Sequence, residues 1–181
     1  MALTLFGGSS MGAADLYTPA LLEHVSHPDY NYELKGATCS HEGINPSCGD
    51  DLTLHVKLGD DGAIEDASWT GVGCAVSQGS ADMMSDLVIG RTPAEAKQLC
   101  NLFGRMVRGE TLSDTEREEL DEAICLESIS HMPARVKCAE LAWRTLDEML
   151  SGATEPSSTE GDDAAANSPA PATAASPQDG R

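Results

Sequence analysis

The chain has 181 residues, 40% hydrophobic but only 4% aromatic, with a formal net charge of −19. That length supports one domain whose core rests on Leu, Val, Ile, Ala and Met, and the charge excludes a role on nucleic acid, whose phosphates would repel it. No apolar run is long enough to span a membrane, and Met1–Ala14 lacks the basic start and apolar stretch of a signal peptide, so a cytoplasmic protein is expected. Its six cysteines (Cys39, Cys48, Cys74, Cys100, Cys125, Cys138) are then read as reduced thiols rather than three disulfides.

Taken in order, residues 1–14 read as a flexible leader. Leu16–Val25 reads as a short helix with Leu16, Ala20, Leu21 and Val25 on one face, stopped by His27-Pro28. A β section follows. Ala37–Ile44 is a strand candidate interrupted by polar residues, and Leu52–Leu58 alternates with Leu52, Leu54, Val56 and Leu58 on one side. That alternation places His55 on the polar side, as a solvated surface residue. Gly59-Asp60-Asp61-Gly62 is a turn, and Ile64–Thr70 returns as the hairpin partner.

Beyond Cys74 the period becomes helical. Val76, Ser80, Met83, Leu87 and Val88 share one face, ending before Gly90-Arg91-Thr92-Pro93. The adjacent Met83 and Met84 are read as core rather than as a soft binding surface. Pro93 opens a second helix carrying Ala96, Leu99, Cys100, Phe103, Met106 and Val107, which makes Cys100 a small core residue. Ser113-Asp114-Thr115-Glu116 offers a capping box, and the stretch to Ile129 is helical or partly so, with Cys125 read as packing. Pro133 opens the last helix, whose apolar face is Ala139, Ala142, Trp143, Leu146, Met149 and Leu150. The domain is expected to span residues 15–152. Residues 153–181 are Ala/Ser/Pro/Thr-rich with five acids and one base, the composition of a disordered acidic tail. The fold class is α+β: a small antiparallel β-sheet of about three strands, covered by helices.

The chemistry centres on the turn Asn45-Pro46-Ser47-Cys48-Gly49-Asp50. A thiolate and a carboxylate are both competent ligands for a borderline-soft cation such as Zn²⁺. In an extended chain residues two apart face the same side, so Cys48 and Asp50 can close on one ion. Gly49 removes an obstructing Cβ, and Pro46 stiffens the approach. Two further stretches supply the remaining thiols: Gly71-Val72-Gly73-Cys74-Ala75-Val76-Ser77, and Arg135-Val136-Lys137-Cys138-Ala139-Glu140-Leu141-Ala142-Trp143. Cys39 lacks such a setting and reads as an ordinary strand or surface residue. The plainer alternative is three unrelated buried cysteines and a turn aspartate.

The three motifs in this order resemble the SufU family, zinc-containing relatives of the IscU and NifU N-terminal iron–sulfur cluster assembly proteins. The resemblance runs from about Leu16 to Leu150. It implies one zinc ion on Cys48, Asp50, Cys74 and Cys138, which contributes to folding by tying distant segments together. It also implies an arginine, here Arg135, beside the aspartate ligand and able to compete with zinc for it. The implied partner is a cysteine desulfurase of the SufS type, a pyridoxal-phosphate enzyme carrying a persulfide. A partner histidine displaces the first cysteine from zinc, and that cysteine, Cys48 here, accepts the sulfur. The rival expectation is an IscU-type scaffold assembling a transient [2Fe–2S] cluster on the same ligands. Against it, this chain has Lys137 where IscU proteins carry a histidine. Its His131–Lys137 stretch does not reproduce their Leu-Pro-Pro-Val-Lys motif, and the Arg91–Glu122 segment matches the extra helical region of SufU. A third alternative is a non-catalytic binding module with a structural zinc.

Overall fold

A computed structural model describes residues 16–160. The leader expected at 1–14 and the tail beyond Glu160 lie outside the described residues. Strands β1 (Cys39–Asn45), β2 (Asp50–Leu58), β3 (Ile64–Val72) and β4 (Ser157–Ser158) form one sheet in the order β3-β2-β1-β4. The first three pair antiparallel, and β4 lies parallel to β1. The expected hairpin is present, and a fourth strand is added from the stretch read as tail.

Helices α1 (Pro19–Ser26), α2 (Ala75–Val88), α3 (Pro93–Val107), α4 (Asp114–Glu119) and α5 (Pro133–Leu150) surround one face, with a 3₁₀ segment, Asp121–His131, before α5. α1 begins later than its apolar spacing suggests. Thr18 caps it through a bond from Leu21 N at 3.2 Å, and Pro19 supplies the first helical φ. From its N-cap Leu120 onward, burial recurs every third residue through the 3₁₀ segment, at Ala123, Leu126 and Ile129. That is the period at which 3₁₀ side chains eclipse, whereas an α-helix would spread these residues around its circumference.

α2 runs through the centre and is buried nearly all round, which its small residues permit. Gly79 lies so close to Leu21 that a Cβ would collide with it. Ser80 bonds the Ala139 carbonyl and accepts from Trp143 Nε1, tying α2 to α5. Phe103 stacks on Trp143 with centroids 4.3 Å apart, which locks α3 onto the same helix. Met83 and Met84 are both core, and so is Cys100, whose thiol burial pushes far up and so makes unreactive.

His55 is the clearest departure. It is 6% exposed rather than solvated, held by Ser40 Oγ at 2.8 Å and Thr70 Oγ1 at 3.1 Å, with Glu33 at 3.8 Å. Strand alternation assigns a side chain to a face but does not say what covers that face. Here neighbouring hydroxyls on β1 and β3 satisfy the imidazole where the sequence pattern suggested water.

Candidate metal centre

The site is built where β1 turns into β2. Asn45 ends β1, and its carbonyl accepts from the amides of Cys48 (3.2 Å) and Gly49 (2.9 Å). Gly49 sits at φ +70°, a left-handed conformation that glycine adopts without a Cβ penalty. This tight reversal puts Cys48 at an exposed apex and returns Asp50 to the sheet opposite Asn45, with no exposed surface.

Both oxygens of Asp50 are held. Oδ1 accepts from the Cys74 amide at 2.7 Å and from Ser77 Oγ at 3.1 Å, and Oδ2 accepts from Asn45 Nδ2 at 2.9 Å. The same Asn45 amide reaches Cys138 Sγ at 3.3 Å. Gly73 leaves the room this needs, since a Cβ there would strike Ser77 Oγ and sit 3.1 Å from Asp50 Oδ1. Cys74 is the N-cap residue of α2, and Cys138 lies near the start of α5, buried and 3.1 Å from Cys48 Sγ.

Cys48, Asp50 and Cys138 therefore present ligand atoms within 4.8 Å of one another. Cys74 adjoins this trio through its thiol beside Cys138 and its amide on Asp50. The hydrogen bond from Cys138 lowers the Cys74 thiol to about 6, against the pull of burial and with help from Ser77. Cys138 moves the opposite way, first because it gives that hydrogen bond and then because it is buried. One proton shared between two thiols stabilises one as thiolate and leaves the other protonated.

Arg135, one turn before Cys138, faces the thiols. Burial opposes its charge, but Cys74 and Cys138 outweigh that and hold its pKa above the ordinary value. The hydrogen bonds that Asp50 accepts from Asn45, Ser77 and the Cys74 amide hold the carboxylate beside these sulfurs. Of the remaining cysteines, Cys39 opens β1 and Cys125 packs toward Thr18 and Leu21, both with thiols raised by burial.

The donor set of three thiols and one buried carboxylate suits a thiophilic dication. Zinc–thiolate bonds of about 2.3 Å imply sulfurs about 3.8 Å apart in a tetrahedron. The 3.1 Å Cys48–Cys138 contact is shorter, so a metal would part these two sulfurs. Asn45 and Ser77 were not singled out from sequence. They lie inside two of the three motifs that carry the thiols, at positions whose role depends on a contact between distant segments.

A four-stranded mixed sheet under a helical layer, with thiols gathered at its β1–β2 end, defines a class of α+β scaffolds with one cysteine-rich site. Within that class, residues 16–139 match the NifU-like N terminal domain, and the chain belongs to that family. It is 37% identical over 141 residues to an iron-sulfur cluster assembly scaffold protein IscU of Thermotoga maritima, covering 78% of this chain and 96% of that one. It is 32% identical over 133 residues to the zinc-dependent sulfurtransferase SufU of Bacillus subtilis, covering 74% and 88%. A solved structure from Fervidobacterium islandicum AW-1, described as an iron-sulfur cluster assembly scaffold of the SUF system, superposes with a TM-score of 0.70 at 30% identity, over 77% and 99% of the two chains. Among the described residues no helix is long and apolar enough to cross a membrane.

Proposed function

We propose that this protein serves iron–sulfur cluster assembly as a zinc-dependent sulfurtransferase, taking sulfur from the persulfide of a SufS-type cysteine desulfurase on Cys48. One observation carries the reading. Cys48 is exposed at the apex of a turn, while Asp50 and Cys138 beside it are buried. A site built only to hold metal has no need for that asymmetry. A carrier does, because its nucleophile must reach a partner while the other ligands stay fixed.

Cys48, Asp50, Cys74 and Cys138 would hold the zinc. When bound, zinc would keep the thiols deprotonated at neutral pH and damp their nucleophilicity. Cys48 Sγ then attacks the terminal sulfur of the donor persulfide. A new S–S bond forms on Cys48, the donor's S–S bond breaks, and the donor cysteine leaves as thiolate with its electron pair. The exchange is redox-neutral. Arg135 supplies positive charge beside the thiolates, and Asn45 and Ser77 keep Asp50 in one orientation while Cys48 moves.

A second reading, a scaffold that builds a cluster on the same four residues, is favoured by the IscU relatives at 37% identity. Lys137 beside Cys138, where IscU-type scaffolds carry a histidine, argues for the first. Metal analysis of protein purified without chelator, paired with desulfurase turnover and with anaerobic iron–sulfide reconstitution, separates the two. One zinc per chain and accelerated turnover are expected. A stable cluster chromophore without turnover stimulation would favour the scaffold.

The hydrogen bonds to ligand atoms give a second expectation. Asn45→Ala leaves Asp50 Oδ2 and Cys138 Sγ without their shared donor, so zinc affinity measured by chelator competition should fall about 10–100-fold, the usual effect of removing such a partner. Asn45→Gln is a poor substitute because the longer amide cannot reach both atoms from the same backbone position. Unchanged affinity in Asn45→Ala would show that the amide only closes the turn.

A further inference from the structure

Residues 157–160 lie beyond the 16–139 that match the family, yet they are built into the sheet beside the site. Ser157 and Ser158 pair with Gly43 and Ile44 along the free edge of β1, and the Thr159 amide donates to the Ile44 carbonyl at 3.2 Å. Ser157 and Thr159 are 1% and 2% exposed, and Ser157 Oγ donates to Glu148 Oε2 on α5 at 2.5 Å. The strap is thus anchored to two elements before it reaches the Cys48 turn. There Glu160 Oε1 accepts from Ser47 Oγ at 2.7 Å, and the Glu160 amide donates to Ser158 Oγ at 3.2 Å.

We propose that Glu160 is a positioning residue for the Cys48 turn, and that the strap Ser157–Glu160 restrains the movement by which Cys48 leaves its neighbours. The turn's other bonds, from the Cys48 and Gly49 amides to Asn45, secure its base. The Ser47–Glu160 bond secures its outer limb, one residue from the thiol. For the limb to swing out, that bond must break or the anchored strap must follow. The restraint stands on geometry alone. Its consequence, that sulfur uptake is limited by release of the strap, rests on Cys48 being the sulfur acceptor.

Amide hydrogen exchange in the full chain reads the restraint directly, at Cys48 and Gly49. Loss of one exposed hydrogen bond in Glu160→Ala or Ser47→Ala should speed exchange about 2–5-fold, with the melting temperature unmoved. Glu160→Gln keeps an acceptor oxygen and should stay near wild type. The double variant Ser47→Ala/Glu160→Ala should be no faster than either single, since both delete the same bond. Thr159→Pro removes the amide that Ile44 accepts, lifts the strap, and should exceed the single side-chain variants. Unchanged exchange in all variants, or additive single effects, would overturn the proposal. Single-turnover transfer from a desulfurase persulfide then tests the consequence. Faster exchange with faster uptake supports both readings, while faster exchange with no labelling of Cys48 keeps the restraint and refutes the sulfur-acceptor reading.

Discussion

Cys48→Ala should fold, bind the desulfurase, and accept no sulfur at all. The wild-type protein, incubated with desulfurase and cysteine, should gain the mass of one sulfur atom on the peptide that contains Cys48. The variant should gain none and should leave desulfurase turnover at its unstimulated rate. The reason the fold survives is positional. Cys48 is exposed on a turn whose bonds run from the Cys48 and Gly49 amides to the Asn45 carbonyl, and its side chain touches the core only through the Cys138 thiol. In metal-free protein the stability change should stay within about 0.5 kcal/mol, the range of surface substitutions. Cys138→Ala differs, because that thiol is buried against Cys48 and Asn45 and its loss leaves a cavity in α5. If the added sulfur maps to Cys74 or Cys138, or if Cys48→Ala still stimulates turnover fully, the acceptor is misassigned.

What the sequence made legible depends on how far apart the interacting residues are. The β2–β3 hairpin has a clean period of two and a Gly-Asp-Asp-Gly turn, so its strands could be read directly. α3 and α5 announce themselves by Pro at the first turn and apolar 3–4 spacing. The thiols at positions 48, 74 and 138 were picked out by motif and order, and the chain folds so that they approach one another. β4 was illegible for a physical reason. Two serines in an Ala/Ser/Pro-rich stretch carry no apolar period, and they pair only because β1 offers an open edge and Glu148 a carboxylate. The 3₁₀ segment was half legible, since its apolar residues showed but their period of three was read as a loose helix. His55 and Asp82 were missed alike, because the partners that satisfy a buried polar group lie on other elements and leave no local trace.

Asp82 leads to the second large effect. It sits in the middle of α2 with no exposed surface, and four donors converge on it. Oδ1 accepts from the Tyr30 amide at 2.9 Å and from Trp69 Nε1 at 3.2 Å, while Oδ2 meets the Asp29 amide at 3.3 Å and His24 Nδ1 at 2.8 Å. One carboxylate thereby fixes α1, the loop after it, and β3 to the central helix. Asp82→Ala leaves all four donors without their acceptor inside the protein and should cost about 3–5 kcal/mol, the usual penalty for breaking a buried charged pair. That is a large share of a typical domain's stability, so the urea midpoint should fall steeply. His24 adds a pH dependence. Burial lowers its pKa, but bonds to Asp82 on α2 and Glu122 on the 3₁₀ segment more than compensate, so it ends above 6.5. A histidine raised on folding stabilises fully below its unfolded pKa, and that stabilisation is lost as pH rises through the folded value. Wild-type stability should therefore decline across that window, and His24→Asn should flatten the decline while keeping the three other bonds to Asp82. A midpoint unmoved by Asp82→Ala, or an undiminished pH slope in His24→Asn, would show that α1 is held by its apolar contacts through Leu21 and not by this carboxylate.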